Sequence, residues 1–286
     1  MSFQTVPLEP GLYLVATPIG NARDITLRAL DVLASADVLA CEDTRTTRKL
    51  LDIHGVAVGE RSMIAYHDHN GAAVRPRLLG FLAAGQSVAY ASDAGTPLVA
   101  DPGFALARAA IEAGHRVSAI PGASAALAAL SVSGLPSDRF TFAGFAPTRS
   151  AARRDFLRDL TQNAATVILF ESPKRVQDLL NDLCEVAGGD RQVVLCRELT
   201  KKFEETRRGT LAEVIASVVE MPPKGECVLL IGPGGVQRAS EEEVDRALHA
   251  ALEGASMKDA SQEVAEALGW KRRDVYQRAL ALRDRD

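Results

Sequence analysis

The sequence predicts an α/β protein with two α/β domains followed by a small helical domain. Short apolar runs alternate with longer amphipathic or alanine-rich segments, and this rhythm is typical of strands and helices in mostly parallel sheets. The 286 residues exceed the usual length of one domain. A glycine-rich segment at 232–239 then precedes three helical patterns. We therefore predict domains at residues 1–121, 122–235 and 236–286.

The first 130 residues or so are expected to contain four pairs of a strand and a helix, the last helix falling just beyond the boundary at 121, because each short apolar run is followed by a helical pattern. The predicted strands are Leu12–Ala16, Val38–Cys41, Val88–Ala91 and Val117–Ile120. The predicted helices are Ile25–Ala34, Thr46–Leu51, Phe104–Ala113 and Ser124–Leu130.

The second domain is expected to have more antiparallel character, and the third to contain a helix-turn-helix. The second has predicted strands at Phe140–Phe145, Val167–Phe170, Val193–Arg197 and Cys227–Ile231, a helix at Val176–Ala187 and a charged hairpin at Lys201–Arg208. The third has helical patterns at Glu241–Leu252, Lys258–Leu268 and Arg272–Leu282. Gly269 separates the last two patterns, which is the outline of a helix-turn-helix.

The composition is that of a globular cytoplasmic protein. Hydrophobic residues make up 47% and charged residues 24%, which argues against disorder, collagen and membrane classes. No apolar run is long enough to span a bilayer, and the start of the chain has no signal-peptide pattern. Four cysteines lie far apart and are expected to be buried thiols. With a net charge of -4, a nucleic-acid partner would have to bind local basic clusters.

Two loops of small residues point to a cofactor cleft. SDAGTPLVADPG (92–103) follows the strand Val88–Ala91, and IPGASA (120–125) ends the strand Val117–Ile120. Ligands of open α/β sheets bind beyond the carboxyl ends of strands, where small residues let the backbone approach them. Ordinary turn chemistry is the alternative for either loop taken alone. TPIGN after the first strand is neither GxGxxG nor a P-loop, so a standard dinucleotide or Walker site is not supported.

Seven short motifs occur in order along the chain. They are TPIGN with RDIT, CEDTR, YHDHN, SDAGTPLVADPG, PGASA, FESPKR, and GEC with LLIGP. This series resembles the tetrapyrrole methylase superfamily, and within it the family that methylates small-subunit ribosomal RNA. The resemblance covers essentially the whole chain. It implies two α/β domains with S-adenosylmethionine in the cleft between them, a homodimer, and 2'-O-methylation of a cytidine ribose in 16S rRNA, within the small ribosomal subunit. Porphyrin-methylating relatives carry a GGDP-type loop instead of SDAGTP, and this departure favours RNA.

The resemblance and the chemistry together give three sets of site residues. A ribose hydroxyl is weakly acidic, so a base or a cation near the developing alkoxide is expected to help. The candidate bases are Glu42, Asp43, His67 and Glu171, and the candidate stabilising cations are Lys174 and Arg175. The cofactor residues implied are Pro18, Asp93, Gly95, Thr96, Leu98, Val99, Ser124, Ala125 and Pro233. The RNA-contacting residues expected are Arg23, Arg45, Arg48, Lys49, Arg149, Arg153, Arg154, Lys174, Arg175, Lys271, Arg272 and Arg273.

Several alternatives stay open at this level. Asp43 could cap a helix, His67 could be a hydrogen-bonded loop histidine, and Glu171 could pair with Arg175. The basic C-terminal helix could be an amphipathic helix whose apolar side fills a small core. The whole chain could be a small-molecule methyltransferase of the tetrapyrrole type, or a DNA-binding regulator. No metal is expected, because methyl transfer from a sulfonium needs no Lewis acid and the histidines lack ligand spacing.

Overall fold

The computed structural model describes residues 3–162, 164–234 and 241–283. The first lobe, residues 3–121, contains a sheet of five parallel strands in the order β3-β2-β4-β1-β5. The strands are β1 (Gly11–Val15), β2 (Val38–Cys41), β3 (Ser62–Ala65), β4 (Ser87–Ala91) and β5 (Val117–Ile120). The helices of this lobe are α1 (Leu27–Ser35), α2 (Thr44–Ile53), α3 (Gly71–Ala83) and α4 (Phe104–Glu112).

The central strands of this sheet are buried on both faces, which explains their uninterrupted apolar sequences. Tyr13 and Val15 of β1 pack on the α1 side, while Leu12 and Leu14 pack on the side of α3 and α4. Thr26 caps α1 by accepting a hydrogen bond from the backbone N–H of Ala29 at 3.1 Å. Because all five strands are parallel, the loops that follow them meet at one edge of the sheet, which is the edge that carries the site.

The second lobe, residues 122–234, contains a mixed sheet in the order β6-β7-β10-β8-β9. Its strands are β6 (Phe140–Phe145), β7 (Thr166–Glu171), β8 (Gln192–Arg197), β9 (Glu205–Thr210) and β10 (Cys227–Ile231). Only β6 and β7 pair in parallel, so the expected antiparallel character is confirmed. Its helices are α5 (Ala125–Ser133), α6 (Ser150–Thr161), α7 (Val176–Ala187) and α8 (Leu211–Glu220).

Helix α5 joins the two lobes. Ala126, Ala129 and Leu130 of α5 pack with Ile19 of the first lobe against the face of the second sheet that carries Ile168 and Val228. The opposite face is covered by α6, α7 and α8. This packing supports the domain boundary that we propose near residue 121, whereas the boundary at 235–236 lies outside the described residues.

Three C-terminal helices form a core of their own. They are α9 (Glu241–Leu252), α10 (Met257–Leu268) and α11 (Arg272–Arg283). Val244, Leu248 and Val275 are buried in this core, and Trp270 and Leu282 pack against it. Gly269 ends α10 in the left-handed region at φ 67°, as a helix-turn-helix requires. The predicted helices of this segment are confirmed.

The other predicted strands and helices are also confirmed. Four elements of the structure were not predicted, and the predicted hairpin lies at a different place in the chain. The sequence interpretation omitted β3, α3, α6 and α8. The hairpin predicted at Lys201–Arg208 is formed by β8 and β9, with residues 198–204 as its connection. Among the described residues, the helices are too short or too polar to cross a bilayer. The cysteines are free thiols, and Cys41, Cys196 and Cys227 are buried as expected, whereas Cys184 on α7 is only half-buried, contrary to the expectation.

Candidate active site

A pocket of about 330 Å³ lies between the two lobes at the carboxyl edge of the first sheet. One wall consists of small or apolar residues from the loops after β1, β4 and β5, namely Ile19, Ala94, Gly95, Thr96, Val99, Ser124 and Ala125. The other wall comes from the second sheet, and its residues are Phe145, Phe170, Glu171, Ser172, Pro173, Leu199, Gly225, Glu226, Cys227 and Val228.

The SDAGTP loop is fixed to the loops on either side of it. Gly95 and Thr17 exchange backbone hydrogen bonds of 3.0 and 2.9 Å, and the Thr17 hydroxyl donates to the carbonyl of Ser92. The Thr96 hydroxyl donates to the carbonyl of Ala123 at 2.9 Å. Gly95 has φ +82°, a conformation that favours glycine. The loop therefore presents its backbone to the pocket in one fixed arrangement.

The second half of this loop holds strained backbone. Leu98 and Ala100 have φ 71° and 56°, which non-glycine residues rarely adopt. Oδ1 of Asp101 accepts hydrogen bonds from the N–H groups of Leu98 and Gly103 and from the Tyr90 hydroxyl. Such strain persists where the surroundings enforce it, and it concentrates at ligand sites.

The structure brings five of the nine expected cofactor residues to the pocket. They are Gly95, Thr96, Val99, Ser124 and Ala125. Pro18 precedes the lining residue Ile19. Leu98 instead packs against the core of the first lobe. Pro233 follows the far end of β10, whose first residue Cys227 lines the pocket, so Pro233 does not line this pocket and its cofactor role stays a prediction.

Glu42 and Asp93 form a carboxylate pair beside the pocket, beyond the ends of β2 and β4. Oδ1 of Asp93 accepts from the N–H of Asp43 at 2.9 Å, and Oε2 of Glu42 accepts from the N–H of Asp93 at 3.4 Å. Burial raises the pKa of Glu42, and the Asp93 charge adds to the shift. Burial also raises the pKa of Asp93. Neither residue lines the pocket, so Asp93 is placed to support the loop.

The other two candidate bases, Asp43 and His67, lie outside the pocket lining. Asp43 caps α2 by accepting from the N–H of Arg45 at 2.8 Å, as the alternative interpretation allowed. Hydrogen bonds from the Arg45 side chain lower the pKa of Asp43 to about 2. His67 lies just after β3, and its Nδ1 is buried without a hydrogen-bond partner among the described residues. Neither Asp43 nor His67 lines the pocket.

Glu171 is the most buried charged group in the pocket wall. Its side chain is 1% exposed, and Oε1 accepts from the N–H of Ser172 at 2.7 Å. Oε2 lies 3.1 Å from the guanidinium of Arg175, but among the described residues it has no partner with hydrogen-bond geometry. Arg175 also donates to the carbonyls of Ala146 and Pro147. The pairing of Glu171 with Arg175 is thus confirmed, and Oε2 is buried without a hydrogen bond among the described residues.

Comparison with known proteins gives the family. The model of the tetrapyrrole (corrin/porphyrin) methylases matches residues 11–215, and that of the RsmI C-terminal HTH domain matches residues 238–283. The chain belongs to the tetrapyrrole methylase family. The ribosomal RNA small subunit methyltransferase I of Mesorhizobium japonicum is 48% identical, over 97% of this chain and 94% of that protein. The enzyme of the same name from Vibrio cholerae is 44% identical, over 97% of both chains.

Solved structures of tetrapyrrole methylases share the fold. Uroporphyrin-III-C-methyltransferase of Thermus thermophilus aligns with a TM-score of 0.55 at 23% identity, over 78% of this chain and 94% of its own. The same enzyme in complex with S-adenosyl homocysteine aligns with a TM-score of 0.54 at 20% identity, over 78% and 97%. The chain is an S-adenosylmethionine-dependent methyltransferase.

The basic residues expected to contact RNA differ in their exposure and in their ion pairs. Exposed positions are occupied by Arg23, Arg48, Lys49, Arg149, Lys174, Lys271, Arg272 and Arg273. Arg45 is exposed but paired with Asp43 at 2.6 Å. Arg154 is half-buried and contacts Asp182 and Glu185.

Arg153 is buried, which corrects its assignment to RNA. Its side chain is 6% exposed and lies 2.5 Å from the carboxylate of Asp182 on α7. Burial alone would raise the pKa of Asp182, but hydrogen bonds from Ser150 and Arg153 outweigh it and hold that pKa below its usual value. Arg153 therefore ties α6 to α7.

We expect Arg153→Ala to destabilise the protein by about 3–5 kcal/mol, because Asp182 would be left buried without its closest partner. Arg149→Ala, four residues earlier and exposed, serves as the matched control and is expected to leave stability unchanged while weakening RNA binding. Urea denaturation and RNA binding by filter retention measure the two effects. Equal stability of the two variants would contradict the structural role of Arg153.

The family's C-terminal domain carries a basic face. Lys258, Arg272, Arg273, Tyr276 and Gln277 line a shallow depression on α10 and α11. Arg278, by contrast, is bound to Asp245 and Glu241, which explains its raised pKa. The amphipathic-helix alternative is confirmed for the apolar side of α11, and the basic side remains exposed.

The sequence interpretation assigned a role to only one residue of the second wall. FESPKR contains Phe170–Pro173 and GEC contains Gly225–Cys227, but only Glu171 among them was assigned a role at the site. Phe145 and Leu199 belong to no recognised motif. These two residues and Gly225 reach the pocket because the strands β6, β8 and β10 all have one end at this cleft.

Proposed function

We propose that the chain methylates the ribose 2'-hydroxyl of a cytidine in 16S rRNA, at the position of cytidine 1402. The observation that carries the proposal is a methylase pocket whose second wall includes Glu171, a buried carboxylate whose Oε2 makes no hydrogen bond with the described residues. The choice of ribosomal RNA is supported by the names of relatives at 42–48% identity over nearly the whole chain and by the C-terminal domain.

The pocket fits S-adenosylmethionine. Its size lies in the range of sites for ligands of this size, and its small apolar wall suits an adenosyl group. Gly95 brings the backbone close, and main-chain groups around Thr96 and Ser124 would hold the polar methionine end. When bound, the cofactor supplies an electrophilic methyl group on a sulfonium.

We propose Glu171 as the general base. Its Oε2 would accept the proton of the 2'-hydroxyl as the methyl group is transferred, so the oxygen attacks with developing negative charge. Arg175, 3.1 Å away, orients the carboxylate. Lys174 is exposed beside them and would neutralise the alkoxide or the adjoining phosphate. Of the candidate bases Glu42, Asp43, His67 and Glu171, only Glu171 lines the pocket.

Tritium transfer from labelled S-adenosylmethionine tests the function. Naked 16S rRNA, 30S particles and porphyrin precursors are offered in parallel, and the product is digested to nucleosides. We expect 2'-O-methylcytidine from an RNA substrate and no labelled porphyrin. Labelled porphyrin alone would favour the tetrapyrrole alternative. Tight duplex DNA binding without methyl transfer would favour the regulator.

We also propose that the chain acts as a homodimer in the cytoplasm, on RNA within the small ribosomal subunit. The resemblance to dimeric tetrapyrrole methylases supports the oligomeric state. Light scattering after size-exclusion chromatography tests it, with a mass near twice the 30.5 kDa chain as the expected result.

Ending the chain at Gly234 is expected to preserve cofactor binding and to weaken RNA binding. The pocket residues all precede this point, whereas the exposed Lys271, Arg272 and Arg273 follow it. Each lost phosphate contact lowers the slope of log affinity against log salt by about 0.7 to 0.9. Calorimetry with the cofactor and RNA titrations at several salt concentrations measure both effects. An unchanged RNA affinity and slope would show that the C-terminal basic face does not bind the substrate.

A further inference from the structure

Strand β6 is irregular where it reaches the pocket. Phe142 pairs with Ile168 and Phe145 pairs with Phe170, so three steps along β6 oppose two along β7. Gly144, between them, has φ +67°. Together these features define a β-bulge with a glycine in the left-handed region.

The bulge decides which way Phe145 points. In a regular strand, residues three apart lie on opposite faces, so Phe145 would face away from Phe142. One extra residue returns Phe145 to the face of Phe142 and Phe170, which is the face of the second sheet that packs toward α5 and Ile19. Bulges beside binding sites commonly redirect a side chain in this way.

The redirected ring lies in the pocket wall and remains open to solvent. Phe145 is 55% exposed although it lines the pocket. Its centroid lies 5.9 Å from that of Phe170 at an interplanar angle of 68°, and Phe170 packs on Phe142 at 4.8 Å. The inner rings hold Phe145 in place, so the sheet supports an aromatic surface at the mouth of the site.

The charges around this ring favour a nucleic acid. Arg149 and Lys174 follow Phe145 and Phe170 in the chain by four residues each, are exposed and make no ion pair with the described part of the chain. Arg175 donates to the carbonyls of Ala146 and Pro147, next to Phe145. The carboxylates of this wall are the buried Glu171, paired with Arg175, and the exposed Glu226, paired with Lys201. Phosphate groups on either side of an unpaired nucleotide would therefore meet positive charge.

We propose that Phe145 is the platform on which the base of the target cytidine stacks; this rests on the function proposed above. A 2'-hydroxyl is accessible in the minor groove of stacked RNA, but the pocket lies between the two lobes, so we expect the target nucleotide to leave the stack to reach Glu171. The base then loses its stacking neighbours, and an exposed aromatic ring replaces them. Phe145 and Glu171 lie on the adjacent strand ends of β6 and β7, so base and hydroxyl are held by neighbouring parts of one wall.

The test compares Phe145→Leu, Phe145→Tyr and the control Phe140→Leu. Phe140 is also exposed, but it lies at the opposite end of β6. The KM is measured on whichever RNA substrate the wild type methylates. The second measurement is the fluorescence quenching of an RNA oligonucleotide of the decoding region with pyrrolocytidine at the target position, and calorimetry gives cofactor affinity.

We expect Phe145→Leu to raise the RNA KM or Kd by about 5- to 100-fold and to abolish quenching, because one base stack is lost. Cofactor Kd is expected to change less than twofold, and Phe145→Tyr and Phe140→Leu are expected to resemble the wild type. An unchanged KM and quenching in Phe145→Leu would overturn the proposal, as would a tenfold loss of cofactor affinity alone, which would place adenine on the ring. Should the wild type methylate no RNA, the proposed function fails, and quenching still decides the role of Phe145.

Discussion

Replacing Glu171 by glutamine is expected to lower kcat by about 10²- to 10⁴-fold, the usual contribution of a positioned general base. Glutamine has nearly the same shape and can still accept the 2.7 Å hydrogen bond from the N–H of Ser172. It cannot accept a proton from the 2'-hydroxyl. Cofactor affinity, measured by calorimetry, is therefore expected to change little, while single-turnover methyl transfer slows.

Two matched carboxylates serve as controls for this experiment. Glu226 also lines the pocket but is 74% exposed and bound to Lys201, so Glu226→Gln is expected to keep most of kcat. Glu42→Gln tests the carboxylate pair beside the pocket. A loss of kcat in Glu42→Gln with near-normal turnover in Glu171→Gln would move the base to Glu42.

The parallel sheet could be predicted because its central strands are buried on both faces. Their sequences are continuous apolar runs bounded by turn residues, as in Val88–Ala91. Strand β3 was not predicted, because three of its four residues are only half-buried and its sequence is not a continuous apolar run. Helix α3 contains Pro76 and Gly80, which interrupt a helical pattern. Tertiary packing on β4 and α4 stabilises α3 despite them.

The first wall of the site followed from sequence because its residues come directly after strands. The loops after β4 and β5 carry small residues at fixed positions, and parallel pairing places both at one edge. The second wall depends on antiparallel pairing of β10 with β7 and β8, which juxtaposes Cys227 with Glu171 across a long sequence separation. Similarly, the sequence gives no reason to expect Arg153 to be buried, because arginine side chains are mostly exposed. Its burial depends on Asp182, which is 29 residues away.

The second large expected effect is a loss of cofactor affinity at Gly95, where the SDAGTP backbone comes close to the pocket. Gly95→Val is expected to weaken cofactor affinity by about 100-fold or more, because the new side chain projects at the pocket wall, where a Cβ would lie 3.3 Å from Cγ2 of Ile19. A valine at φ +82° also strains the backbone, so the strain must be separated from the obstruction.

The variant Gly114→Val separates the backbone strain from the obstruction of the pocket. Gly114 has φ +77° with no atom within 4 Å of a built Cβ, and it lies outside the pocket. Both variants therefore carry similar backbone strain, and we expect similar losses of thermal stability. Only Gly95→Val is expected to lose the cofactor in calorimetry at a temperature where both proteins remain folded. Wild-type affinity in folded Gly95→Val would place the cofactor elsewhere, because a site that tolerates an isopropyl group at Gly95 does not use the backbone there.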